Sequence, residues 1–191
     1  MKKICDAIGI AAFPPVLDFF VTLVFVFFSS AAAGASVWAV FLIAFVFISA
    51  VPFIPAVYSV AKGLVDFYVT KREQRTLFFV IAGGSYMIAA AFFAALGSQL
   101  MLYLVITYAI IDFVIMFINF SWKISVHATI AGPLTAIAYV FGWQFLVLHA
   151  LTLVVMWSRL KLKVHTLAQV VAGAIVSAAI TFSVFYTFMP F

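Results

Sequence analysis

Long apolar runs without period-two alternation, separated by short polar stretches, set the pattern of this chain. Such runs read as membrane-spanning helices rather than barrel strands, since a helix needs about 20 apolar residues to cross a hydrocarbon core of roughly 30 Å. Spans are expected at residues 14–28, 37–57, 77–96, 100–118 and 165–188. The apolar stretch 128–157 is too long for one crossing and carries Gly142-Trp143-Gln144 near its middle, so it reads as a hairpin of two short helices. The expected architecture is an all-α, polytopic membrane helix bundle of about seven helices, the hairpin arms counted separately. It forms a single domain over residues 1–191, with no internal repeat and no linker.

Between the spans lie a small-residue loop at 29–36, a tight turn at Gly97-Ser98-Gln99 and a loop at 119–127. Pro52 and Pro55 are expected to kink the second span near its end. The longest polar segment, 58–76, holds Lys62, Asp66, Lys71, Arg72, Glu73 and Arg75. Met1-Lys2-Lys3 followed by an apolar run mimics a signal peptide, but the run is long and is interrupted by Pro14-Pro15 and Asp18, so a retained helix is expected. With this topology all ten cations fall on one face, which the positive-inside rule makes cytoplasmic. The protein is therefore expected in the cell membrane.

Composition narrows the class. With 69% hydrophobic residues and a mean hydropathy of +1.34, an ordinary soluble protein is excluded. A net charge of +5 would suit nucleic acid, but the cations are scattered through short loops between apolar spans, so no nucleic-acid partner is expected. Cys5 is the single cysteine, which rules out an intrachain disulfide and a thiolate metal site; it reads as a free interfacial thiol.

Chemistry is densest at residues 157–173, where Arg159, Lys161 and Lys163 precede His165 and a long apolar helix. Cations at a helix N-terminus point to a bound anion. His165 and Gln169, four apart, share a helical face, so the amide oxygen can fix the imidazole tautomer and leave the other nitrogen for nucleophilic or acid/base work. Taken alone, this reading and the plainer one, topogenic charges beside an interfacial histidine, stand equal.

The spacing Ser158-Arg159, five residues, His165, three residues, Gln169 resembles the third signature of the type 2 phosphatidic acid phosphatase superfamily, where aspartate occupies the last position. Upstream, Lys123-Ile124-Ser125-Val126-His127 resembles that family's second signature, with Val126 in place of glycine. The first signature is the weakest match: Arg75 stands at its end, Tyr68 takes the lysine position, and Lys71 substitutes if the loop is helical. The resemblance covers residues 66–173 and implies a family-like core with His165 as nucleophile and His127 as general acid and base. It also implies that Gln169 orients His165, and that Arg159, Ser125, Lys123, Lys71 and Arg75 cradle phosphate. No metal and no other cofactor is implied. The substrate would be a lipid phosphate or an isoprenyl diphosphate taken from the bilayer.

Among rival classes, a retinal-binding protein lacks its lysine in the last span, and the motifs of zinc proteases and Mg²⁺-dependent prenyl or phosphoalcohol transferases are missing. A transporter or structural membrane protein is the remaining non-enzyme reading. Asp112, with Asn119 two turns on, is expected to line a route to the site, and His149 to serve helix packing.

Overall fold

Prolines at 14 and 15 pre-set the backbone for a helix start, and there the chain turns from a first helix, α1 (Lys2–Ala11), into α2 (Pro14–Ala33) at an angle of 49°. The computed structural model describes residues 1–66 and 68–189, and every regular element among them is helical. After α2 come α3 (Val37–Ala44) and α4 (Val51–Ala61), joined through a π-helical stretch (Phe45–Ala50) into one span. A 3₁₀ turn (Arg72–Arg75) leads into α5 (Thr76–Ala95), which is followed by α6 (Gln99–Ser121). The 3₁₀ turn Val126–Ile130 opens α7 (Ala131–Phe141), and the 3₁₀ turn Trp143–Leu148 opens α8 (His149–Lys161); α9 (Leu167–Phe188) closes the chain.

By length and composition, five of these helical segments can cross a membrane, or six if α1 and α2 together count as one bent span. The protein is membrane-embedded and all-helical. At Pro52 the helix widens into the π-helical stretch: proline at 52 offers no N–H to the carbonyl of Ile48, and Val51 N–H bonds Val46, five residues back. The small-residue loop is shorter than expected, because α2 continues to Ala33 and ends on Gly34 in the left-handed conformation.

The hairpin forms, but unequally. Gly142 adopts φ +120°, open to glycine alone, and breaks the chain between α7 and the turn leading into α8. Its second arm, Trp143–Lys161, is long enough to cross; only the first, Val126–Phe141, is short. That short arm sits inside protein rather than lipid. Every residue of α7 from Ala131 to Tyr139 is buried, and the small side chains of Ala131, Gly132, Ala136 and Ala138 let α9 and the other helices close on it. Phe25, Phe93, Leu104, Met101 and Phe185 complete the core around it.

The two ends of the bundle differ. At one end Ser29 of α2 hydrogen-bonds Ser98 of the α5–α6 turn, and Tyr139 donates to the carbonyl of Met189. At the other, Asn119 donates to the Arg72 carbonyl, Arg75 to Ile124, Lys123 to Val164, and Arg159 to Cys5. The ten cations belong to segments gathered at this second end.

Candidate active site

Three separate segments meet at the basic end, and backbone packing brings them together. The carbonyl of Gln169 in the first turn of α9 accepts the N–H of Ser125 at 3.2 Å. A Cβ at Gly173, one turn on, would lie 2.5 Å from the Ser125 carbonyl, so only glycine permits this approach. Lys123 reaches across to the Val164 carbonyl at 3.0 Å. The 122–127 loop is thereby held against the loop that carries His165.

His165 lies outside the helix, not on it. Thr166 is the N-cap of α9, and Thr166 and Gln169 form a reciprocal capping box, a pattern readable from Thr-x-x-Gln in the sequence. Gln169 Oε1 accepts from the Thr166 N–H at 3.1 Å and faces His165 Nδ1 at 3.0 Å. Since a backbone N–H can only donate, that atom is the amide oxygen, so Nδ1 carries the proton and Nε2 keeps its lone pair. The expected histidine–glutamine contact is present, but it comes from the cap rather than from a shared helical face. Burial, with Arg75, Lys123 and Arg159 nearby, pulls the His165 pKa down to about 4 against the opposing effect of Gln169, so the ring is neutral at pH 7.

His127 sits in the 3₁₀ turn ahead of α7. It lies against the backbone of Gly9, packs against Phe13 with ring centroids 6.1 Å apart, and is within electrostatic reach of Arg159, His165 and Arg75. Ser125, two residues earlier, is fully buried and its hydroxyl has no hydrogen-bond partner among the described residues. A buried hydroxyl without a partner costs roughly 1–3 kcal/mol, an expense often retained where a ligand supplies the missing bond.

The arginines do more structural work than the sequence suggests. Arg159 is 2% exposed; its Nη2 donates to the Cys5 carbonyl at 3.0 Å and to Ser158 Oγ at 2.9 Å, while Ser158 itself donates to Cys5. Gly9 makes room for that guanidinium, since a Cβ there would fall 2.1 Å from Nη2. No hydrogen bond from Arg159 Nη1 occurs among the described residues. Arg75 is 7% exposed and clamps the carbonyls of Val69 at 2.9 Å and Ile124 at 3.1 Å. Val69 accepts in the left-handed conformation, φ +44°, an unusual state for a β-branched residue, so the clamp holds a strained loop. Asp66 organises that loop by accepting from the backbone of Tyr68 and Thr70 and from the Thr70 hydroxyl.

Two expectations fail here. The 3₁₀ turn starts at Arg72, so Lys71 does not share a helical face with Arg75; it stands exposed, and no described contact ties it to the histidines. Cys5 is buried at 1% exposure rather than interfacial, because α1 docks on α8. Residues that the sequence did not single out also border the site. Gly9 contacts His127, the Cys5 carbonyl anchors Arg159, and Asp6 accepts from the Tyr68 hydroxyl at 2.5 Å, which raises the tyrosine's pKa.

Away from this end, Asn119 spends its amide N–H on Arg72, while Asp112 lines an interior cavity that Val126 and Thr129 also border. His149 faces the Thr135 hydroxyl at 3.5 Å, between α8 and α7. Compared with protein-family models, curated proteins and solved structures, the chain matches none.

Proposed function

We propose that this protein is a lipid-phosphate phosphatase working through a phosphohistidine, as its resemblance to the type 2 phosphatidic acid phosphatases implies. One observation carries the reading: His127, His165, Arg75, Lys123 and Arg159, from three segments far apart in sequence, converge at the basic end of a membrane bundle. Burial first, and the cations second, hold the two histidines neutral; the same cations attract a phosphate and neutralise the charge of a transferring phosphoryl group.

In the proposed reaction His165 Nε2 attacks phosphorus, Nδ1–H staying on Gln169 so that the positive charge forming on the ring is held by the amide oxygen. Burial and then the Arg159 charge hold His127 neutral, with its pKa down to about 3, in the free protein; a bound phosphate dianion would bring a proton with it, and His127 gives that proton to the leaving oxygen as the phosphorus–oxygen bond to the lipid breaks. Neutral His127 then takes a proton from water, whose oxygen displaces His165 and releases inorganic phosphate. The Ser125 hydroxyl, Lys123 and Arg159 Nη1 serve the equatorial oxygens, while Arg75 fixes the loop around them. An amphiphile would enter sideways from the bilayer, and the basic end would face the cytoplasm.

The test is phosphate release in detergent from phosphatidate, phosphatidylglycerophosphate and isoprenyl diphosphates. Wild type should turn over at least one of them, unaffected by chelator, and His165→Ala should not. No release from any, or release by a folded His165→Ala protein at wild-type rate, would remove the proposal. A second reading, ion-coupled transport, is favoured by one feature: Asp18 and Asp112 lie together inside the bundle. It predicts ion-gradient-driven uptake into proteoliposomes and no phosphate release.

A further inference from the structure

Below the histidines lies a second polar centre. Asp18 of α2, Tyr86 of α5, and Tyr108 and Asp112 of α6 line one interior cavity of about 50 Å³. Asp18 is 9% exposed, Tyr86 5% and Tyr108 4%, and the two carboxylates lie within electrostatic reach of each other. Among the described residues neither carboxylate has a cationic partner, the one ion pair being Arg72–Glu73 at the surface. Three oxygens in this region are buried and make no hydrogen bond of ordinary geometry: Asp112 Oδ2, the Tyr108 hydroxyl, and the hydroxyl of Thr22 beside it.

The Gly83 backbone lies beside Asp112 and the Thr22 hydroxyl beside that of Tyr108, but no cation among the described residues balances the carboxylates, and polar groups so placed are costly inside a membrane bundle and mark functional positions. Their chemistry selects the occupant. A set made wholly of carboxylate and hydroxyl oxygens suits a hard cation. Two carboxylates this close repel each other when both are charged, and a single small cation between them relieves that repulsion. Size agrees, because a cavity of about 50 Å³ compares with a water's share of roughly 30 Å³. That space suits a bare ion better than an organic ammonium group or a Mg²⁺ that keeps several waters.

We propose that Asp18 and Asp112, with the hydroxyls of Tyr108 and Thr22, form a binding site for one small alkali-metal cation inside the bundle. The site is independent of the phosphatase reading and shares its two carboxylates with the transport reading, which would further need a driven uptake that ion binding alone does not supply. Because Val126 and Thr129, on either side of His127, line the same cavity, an ion bound there would brace the turn that carries that histidine.

The experiment is thermal unfolding of the full-length protein in detergent, in sodium, lithium, potassium, magnesium, calcium or choline chloride at equal ionic strength. Sodium or lithium should raise the midpoint saturably, beyond what potassium and choline give. Asp18→Asn and Asp112→Asn should abolish that increment. Tyr108→Phe keeps the ring's packing, so it tests the site without a charge change; it should weaken the apparent affinity about tenfold, the worth of one lost ligand. The proposal is overturned by an equal response to all salts, by a response to divalent ions alone, or by an increment that survives in Asp112→Asn or is unchanged in Tyr108→Phe.

Discussion

Two clusters of charge, opposite in sign, solve opposite problems in this molecule. At the basic end Arg75, Arg159 and Lys123 are each tied to backbone carbonyls of other segments, so their charges stitch the site together before any ligand arrives. In the interior, Asp18 and Asp112 have no cationic partner among the described residues, and Asp112 Oδ2 makes no hydrogen bond of ordinary geometry among them. A cation near a membrane surface can always find a carbonyl, because every loop and helix C-terminus exposes them; a carboxylate between spans finds few free N–H groups, since helices consume their own. The difference teaches that the basic end is pre-organised, whereas the acidic centre needs a proton or an ion to be complete.

Breaking the basic end at its chemistry should have the largest effect. His127→Ala should lower turnover about 10²- to 10⁴-fold, the usual range for a general acid. A substrate with a very good leaving group should recover much of that loss but none of the loss in His165→Ala. Equal recovery of both would erase the distinction drawn between the two rings.

Gly173→Ala attacks the same end through packing. The new Cβ meets the Ser125 carbonyl at 2.5 Å, and backbone cannot yield as a flexible side chain does. A destabilisation of about 1–3 kcal/mol is expected, with a further loss of activity as the 122–127 loop is pushed away. Denaturation and phosphate release measured on one preparation decide it, and an unchanged midpoint would show that the two segments are not locked together.

The electrostatics of the end can be read from pH. His165 is held near pKa 4, below the ordinary histidine value of about 6.5. Its neutral, nucleophilic form therefore persists down to about pH 4, and the acid limb of kcat/KM should lie correspondingly low. The same shift makes the protein lose stability as pH falls from 6.5 towards 4, where the unfolded chain binds the proton more readily. Lys123→Gln removes one of the charges that depress the value, so the limb should move upwards even as kcat/KM falls. A limb that stays put would place Lys123 outside the field at His165.

The smallest expected effect is at Lys163, which ends α8 in the left-handed conformation at φ +56°, with Val164 N–H returning to the Arg159 carbonyl. That is a glycine-type helix end occupied by lysine. Lys163→Gly should raise stability by up to about 1 kcal/mol and leave turnover unchanged, as checked by urea denaturation and phosphate release.

How much of this was readable beforehand follows from which groups bond to which. Contacts between side chains close in sequence were legible: the His165–Gln169 pair was expected from its spacing, although the cap and not a shared helical face makes it, and the gathering of cations at one end follows from the order of apolar runs. The partners of Arg159 and Arg75 were not, because they are carbonyls of Cys5, Val69 and Ile124, and a carbonyl has no residue type to mark it. For the same reason α1 passed as the start of a longer apolar run, although its backbone at Cys5 and Gly9 borders the site. The start of α9 was misplaced by two residues for want of reading Thr166 and Gln169 as a cap. Asp18 and Asp112 were visible singly as charges within spans, but their proximity depends on how α2 packs against α6, which no local pattern encodes.

The most direct measurement is to trap the covalent intermediate. Purified protein is mixed for milliseconds with a lipid phosphate labelled on phosphorus, quenched in alkali, and digested for mass spectrometry. The account predicts a base-stable, acid-labile phosphoryl group on the peptide carrying His165, present in wild type, accumulating in His127→Ala and missing from His165→Ala. Label on another residue, or turnover that never passes through labelled protein, would contradict it.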